Sequence, residues 1–361
     1  MRALPDMTVR NPEGLSHVFR YFGEVETPRL GSRVYTVYCL GIAEDPGLLA
    51  LASKVDPGQP APNILFAAVQ ELLLEDPKGS PEAEALSVFY PAISHEPIPD
   101  RSPWEAFRAF CLAHGDRLEP RLRTGKTQTC VVHRCAAILP AFAAIPRVGV
   151  ADGRVALLEI GPSAGLNLRL DRYRYDYGGG LVWGDPQATP QLRCEVRGEI
   201  RPPLPETLEV VARRGLELDP IDLDDPAELR WIQALVWPEH AERARAMEEA
   251  LRLAESIPIE IAPGDATRDI EEHVRALPTD AARIVFATQV FYQIPPAGHR
   301  AILAGIAAAS REAPVDFVLL ESTGEGDSRI DWFSYADGEQ KDHRVLADCD
   351  SHGRWVAWRA T

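Results

Sequence analysis

The sequence predicts an α/β protein: a mainly α-helical N-terminal domain over residues 1–150, then an open, mostly parallel sheet with crossover helices over residues 151–361. Three observations predict it. After residue 151, short β-branched or leucine-rich runs alternate with amphipathic helical windows, the pattern of parallel strands joined by helices. Before it, apolar residues recur at helical spacing between proline-rich joints. At the start of the second part, the run Val155–Ile160 ends in the glycine turn Gly161-Pro162-Ser163-Ala164-Gly165.

In the first part, Ile64, Leu65, Ala68, Val69, Leu72 and Leu73 mark a helix over Pro62–Leu74, and Phe107, Phe110, Cys111, His114 and Leu118 mark another over Trp104–Leu118. Pro91, Pro97, Pro99 and Pro103 make the joint between them, and Val131–Phe142 reads as the last helix, ended by Pro146. In the second part the expected strands are Val155–Ile160, Leu208–Leu218, Ile257–Ile261, Ile284–Thr288 and Val315–Glu321. Between them, Glu239–Ser256 places Ala241, Ala244, Met247, Leu251 and Ala254 on one face, and Pro296–Ala309 carries Ile302, Leu303, Ile306 and Ala309. The segments 344–347 and 354–358 flank the turn-rich 348–353 and predict a closing antiparallel hairpin. Residues 178–207 form an insertion rich in glycine and proline, expected as a long surface or binding loop.

Composition narrows the function. The 361 residues include 38 Lys and Arg against 54 Asp and Glu, a net charge of -16 that repels a phosphate backbone, so nucleic acid is not the expected partner. The N-terminal residues lack an apolar signal core, and the longest apolar run, 136–146, is short of the ~20 residues that span a bilayer, so no membrane partner and a cytoplasmic location are expected. Six cysteines without a CxxC pair point to reduced thiols. Cys130, His133 and Cys135 match no familiar zinc spacing and read as buried thiols, with no metal expected.

The segment that carries chemistry is 155–175. A buried strand, a glycine turn and a helix with Leu166, Leu170, Tyr173 and Tyr177 on one face would direct backbone N–H groups and the helix dipole at an anion. Gly161 permits the sharp turn and Gly165 a close approach. Glu159, two residues before Gly161, would repel a pyrophosphate and attract an ammonium, so a ligand with an amino-acid end and an adenosine end fits better than a dinucleotide.

On these residues, E-x-G-x-S-x-G resembles the E/D-x-G-x-G-x-G motif of class I S-adenosylmethionine-dependent methyltransferases, with Ser163 at the middle glycine. More narrowly, EIGPSAGLNL, DRYRYDYG, LDPIDL and TQTCVVHRC together resemble a bacterial family of uncharacterised proteins, domain of unknown function 2332. The resemblance implies a Rossmann-like, seven-stranded methyltransferase-type sheet, S-adenosylmethionine as cofactor, and a small-molecule or protein methyl acceptor. It implies cofactor contacts at Glu159, Gly161, Ser163, Gly165 and Asn167, a ribose-holding acid at Asp219, and an adenine contact at Asp265 with Ala266. Either aspartate could instead be a turn or cap residue. Gln289 and Tyr292, at the end of the fourth strand, are acceptor-binding candidates, with packing as the alternative for the aromatic. No catalytic base is named by the sequence. The family pattern nearer Q-T-N-E before the Arg-Cys pair is here Gln128-Thr129-Cys130-Val131, leaving Arg134 as a candidate anion contact or the partner of a structural salt bridge.

Two rival functions stay open. The domain could bind the cofactor or a partner without catalysis. Gly161-Pro162-Ser163-Ala164-Gly165 also satisfies the G-x-S-x-G nucleophile elbow of α/β-hydrolases, with Ser163 as nucleophile and Asp316 and His343 or His352 as partners, although helices rather than strands precede it.

Overall fold

Strand β1, Arg154–Ile160, is buried on both faces beyond its first residue, which is why it reads as an unbroken apolar run. It lies inside a nine-stranded sheet in the computed structural model, which describes residues 5–324 and 327–359. The other strands are β2 (Arg174–Asp176), β3 (Val182–Trp183), β4 (Gln191–Arg193), β5 (Glu195–Val196), β6 (Glu209–Glu217), β7 (Glu260–Pro263), β8 (Ala282–Thr288), β9 (Val315–Ser322), β10 (Ser328–Ala336), β11 (Glu339–Cys349) and β12 (Trp355–Trp358). Their order in the large sheet is β5-β12-β11-β10-β9-β8-β1-β6-β7, and β3-β2-β4 form a small second sheet.

The block β7-β6-β1-β8-β9 is parallel throughout. From β1 the chain moves outward to β6 and β7, then returns to β8 on the other side of β1 and continues to β9. Helices Ala266–Arg275 and Pro296–Ala309 make the later crossovers, and their Ile270, Val274, Ile302 and Ile306 close over Leu158, Ile160, Val285 and Phe317. The expected seven-strand count does not hold. A meander, β9-β10-β11-β12, joined by antiparallel pairings, and the short β5 extend the sheet to nine. The predicted closing hairpin is present, with Ala347 opposite Trp358.

Two local expectations are corrected. The residues after the glycine turn do not make an α-helix: Leu166–Arg172 is a kinked 3₁₀ segment, and the chain then enters β2. Tyr173 and Tyr175 donate their hydroxyls to the carbonyls of Leu166 and Leu170, both at 2.6 Å, and Tyr177 to that of Ala136 at 2.8 Å, so the alternation of R-Y-R-Y-D-Y buries tyrosines rather than marking a helix face. The 178–207 insertion is not one long loop either, since β3, β4 and β5 fall within it.

The chain divides into two compact units, one of residues up to Thr129 with Asp222–Ala244, the other of Cys130–Ile221 with the residues from Arg245 on. The division falls at 129/130 rather than near 150 because helix Arg134–Ala143 packs on the sheet: Phe142 meets Phe286 of β8 edge-on, with ring centres 5.6 Å apart. The first unit is helical. Its Ala61–Glu75 helix is buried on nearly every side, and Tyr38 stacks on Phe107 at 3.8 Å. The expected helix over Trp104–Leu118 breaks at His114 into Trp104–Ala113 and Gly115–Thr124. Asp222–Ala244 joins this unit through Glu239, whose carboxylate accepts from Ser32 Oγ (2.7 Å) and Val34 N (2.6 Å), and through Trp231, whose indole donates to the Lys126 carbonyl (2.9 Å). Among the described residues no helix is long and apolar enough to cross a membrane.

Candidate functional site

In open parallel sheets, ligands bind outside the carboxyl ends of the strands, where the chain changes its direction of progress across the sheet. Here that point lies at β1 and β8. The chain leaves β1 through Gly161, whose N–H donates to the Leu216 carbonyl at 3.0 Å and prolongs the β1–β6 ladder by one residue. Gly161 has φ +67°, and a Cβ there would stand 2.7 Å from Val290 Cγ2, so glycine is required twice over. Ser163 is also left-handed at φ +54°; its N–H donates to Glu217 Oε2 at 2.9 Å, and its Oγ lies 3.1 Å from Cys130 Sγ. Gly165 N–H closes on the Pro162 carbonyl at 2.8 Å. The N–H groups of Gly161, Ser163 and Gly165 are therefore engaged within the protein, and the short 3₁₀ segment has no helix dipole to offer. The expected anion cradle at this turn is not formed.

The acid before the turn is another matter. Glu159 stands on the face of β1 toward helix Arg134–Ala143, because its register partner Phe286 carries the ring that meets Phe142. It is 1% exposed. Oε1 accepts from Asn167 Nδ2 at 3.0 Å, while Oε2 is buried with no hydrogen-bond partner among the described residues. Cys135 Sγ donates to Asn167 Oδ1 at 3.3 Å, which turns the amide so that its NH₂ faces Glu159. Desolvation pushes the Glu159 carboxyl up to about 8; the Asn167 hydrogen bond and the Arg134 charge oppose that rise, and Glu217 adds to it. A buried carboxyl with one oxygen lacking a partner, at the end of the central strand, is costly to ionise unless a donor meets that oxygen.

Arg134, at the first turn of its helix, is 8% exposed. Its Nε donates to the Ser351 carbonyl at 2.9 Å and its Nη1 to the Thr288 carbonyl at the end of β8 at 3.2 Å. Among the described residues the salt bridge that the sequence allowed is not made. Gly353 explains the close packing here: a Cβ on it would stand 2.1 Å from the His133 carbonyl oxygen, so only glycine lets the β11–β12 turn bring Ser351 up to Arg134.

The remaining expected site residues divide. Asp219 lies two residues beyond the end of β6 and is exposed; the acid that ends the strand is Glu217, which accepts from the N–H groups of Ser163 and Leu218, both at 2.9 Å. The alternation of Leu216, Glu217 and Leu218 held that signal, with Glu217 on the strand and Leu218 outside it. Asp265 is the N-cap of helix Ala266–Arg275, its Oδ1 accepting from Thr267 N (2.9 Å) and Thr267 Oγ1 (2.7 Å), and Ala266 behind it is buried. The cap alternative is thus what the geometry shows, and Asp265→Ala is expected to lower stability by about 1 kcal/mol, read by urea unfolding. Gln289, at φ +58°, donates to Ser328 Oγ at 2.7 Å, bridging β8 to β10. Tyr292 is exposed and lines a pocket of about 460 Å³ with Phe291, His299, Glu321, Arg329 and Asp331.

The hydrolase relay is not assembled around Asp316. That residue is buried in β9 opposite Ile284, with its carboxylate taking Arg147 Nε and Trp332 Nε1, both at 2.9 Å, while His343 pairs with Asp331 at 2.7 Å. All six cysteines are buried and unbridged, and among the described residues no group of three or more His, Cys, Asp or Glu is placed to hold a metal.

The family model for DUF2332, described as "Uncharacterized protein conserved in bacteria", matches residues 16–358. The chain belongs to this family. The match takes in both compact units, the glycine turn and the Arg134–Cys135 pair, so the buried Glu159 site lies within the family domain. No curated protein and no solved structure matches the chain.

Proposed function

We propose that this family member is an S-adenosylmethionine-dependent methyltransferase acting on a small molecule or protein. The observation that carries the proposal is the Glu159 carboxyl: buried, one oxygen without a partner, at the end of the central strand and two residues before a left-handed glycine. An ammonium is the group that would satisfy that oxygen and draw the carboxyl into its ionised form. The β7-β6-β1-β8-β9 parallel order is the frame a methyltransferase-type domain needs, with the change of direction at β1. In this reading Glu217, which ends the neighbouring strand and already accepts two backbone N–H groups, would take the ribose hydroxyls on its remaining lone pairs, the role first expected of Asp219.

The residues fit the amino-acid end of the cofactor better than its adenine end, because Asp265 is committed to its cap. When bound, the sulfonium supplies an electrophilic methyl group. The protein's own part is to hold the ammonium at Glu159 and the ribose at Glu217, and to offer the acceptor a wall at Tyr292 and the adjoining pocket.

Isothermal titration with S-adenosylmethionine and S-adenosylhomocysteine tests the proposal. Saturable binding is expected, weakened about ten-fold or more by Glu159→Gln and by Glu217→Ala, each of which removes a charged hydrogen-bond acceptor. Absence of heat at millimolar ligand contradicts it. Binding without methyl transfer across a panel of metabolite and protein acceptors would favour a non-catalytic binding domain instead.

A further inference from the structure

Three arginines of the sheet-containing unit are almost wholly buried, and two of them are structural. Arg283, 1% exposed, directs Nε to the Pro314 carbonyl, Nη1 to that of Val274, and Nη2 to those of Ala309 and Ala313. Arg169, 3% exposed, directs Nε to the Ile257 carbonyl, Nη1 to that of Gly165, and Nη2 to those of Ala254 and Ile257. In both, every guanidinium nitrogen has a carbonyl to donate to, which is how a buried arginine is made tolerable without a counter-ion.

Arg134 differs. Its two hydrogen bonds use Nε and Nη1 only, and Nη2 donates to nothing among the described residues. Among the described residues no carboxylate forms an ion pair with it; Tyr292, Glu159 and Glu321 act on it through their field. Two side chains thus keep an uncommitted edge among the described residues: the guanidinium of Arg134 at Nη2 and the buried carboxyl of Glu159 at Oε2. Both lie on the helix Arg134–Ala143 side of the sheet, one anchored at the end of β8 and the other at the end of adjacent β1.

We propose that Arg134 and Glu159 together clamp an α-amino acid group, Glu159 Oε2 receiving the ammonium and Arg134 Nη2 the carboxylate. The inference rests on the adenosyl-ligand proposal for the identity of the ligand and extends it: recognition requires the carboxylate as well as the ammonium, and Arg134 is the specificity residue. A guanidinium suits this task because its planar donors meet a carboxylate in fixed geometry, and because Nε and Nη1 are already pinned to carbonyls, leaving one edge preset.

The test compares S-adenosylhomocysteine with its decarboxylated analogue, which keeps the amine and the adenosine, by isothermal titration of the full chain. Wild-type protein is expected to prefer the carboxylate-bearing ligand by about ten-fold or more, the worth of a charge-assisted hydrogen bond. Arg134→Gln is expected to erase that preference, and Arg134→Lys to restore part of it. Equal affinity of the wild-type protein for the two ligands overturns the clamp and leaves the methyltransferase proposal standing. So does an Arg134→Gln protein that keeps the preference. Should Arg134→Gln fail to fold, the wild-type comparison decides alone. Binding of L-methionine but of neither adenosyl ligand, lost in Arg134→Gln, supports the clamp and removes the adenosyl proposal. No binding of any of the three ligands to the wild-type protein removes both.

Discussion

Glu159→Gln is expected to flatten the fall of stability with pH. The wild-type carboxyl is pushed up to about 8 by desolvation, against roughly 4.3 for an exposed glutamate. A group raised in the fold contributes its stability fully below the unfolded value and loses it as pH climbs through the folded one. Between pH 5 and 8 the wild-type protein should therefore lose up to roughly 1.4 kcal/mol per pH unit through this one side chain. Arg134, Asn167, Glu217 and the thiols of Cys130 and Cys135 surround it, and none supplies a contact ion pair. The glutamine variant lacks the titration. Near pH 5 the protonated carboxyl and the amide each leave a donor without a partner at this position, so the two proteins should be close in stability there. The two stability curves diverge as pH rises, the wild type falling below the variant. Urea unfolding at half-unit pH steps reads this directly, and parallel curves would show that Glu159 does not titrate in the fold.

The second large effect is expected at the turn that holds Arg134. Gly353 has φ +78°, and a Cβ there would lie 2.1 Å from the carbonyl oxygen and 2.5 Å from the carbonyl carbon of His133, atoms of the backbone that cannot swing away. Gly353→Ala should cost roughly 2–5 kcal/mol, combining left-handed strain of about 1–2 kcal/mol with overpacking of about 1–3 kcal/mol. Gly178→Ala is the matched control. That glycine has φ +77° but nothing within 4 Å of its would-be Cβ, so it should show the strain alone. Thermal unfolding of the pair measures the difference, and equal shifts would mean that the close approach at His133 is not real. Because the displaced turn carries the Ser351 carbonyl, Gly353→Ala should also loosen Arg134.

Much of the parallel block was legible because β1, β8 and most of β9 are buried on both faces and the helices on one. β1, β6, β8 and β9 and the Pro296–Ala309 helix lie where apolar runs and 3.6-residue periodicity place them. β7 begins three residues later than expected, at Glu260, since the run Ile257–Ile261 is shared between a loop and the strand. β10 went unseen. Its R-I-D-W-F-S-Y sequence buries residues on both faces yet carries Arg329 and Asp331, an ion pair at 2.7 Å that satisfies the charges locally and disguises a strand as a loop. After the glycine turn, Leu166, Leu170, Tyr173 and Tyr177 have helical spacing by coincidence, and the period-two tyrosines were the truer signal.

In the candidate site, the glycines and Glu159 were readable from the motif alone. Arg134 was visible only as an ambiguous charge, because whether a buried arginine meets a carboxylate depends on side chains hundreds of residues apart in sequence; its bonds run to Thr288 and Ser351. Glu217 was passed over for Asp219 because strand ends are uncertain by a residue or two without knowledge of the ladder.

In the proposed site the Glu159 carboxyl takes up the ammonium of an amino-acid-bearing ligand. Titration of S-adenosylhomocysteine at pH 6.5 in buffers of different ionisation enthalpy tests it most directly. A carboxyl held near 8 is protonated at that pH and must ionise to pair with the ammonium, so binding should release close to one proton in the wild-type protein and none in Glu159→Gln. Binding with no proton release, or with the same release in both proteins, would contradict it.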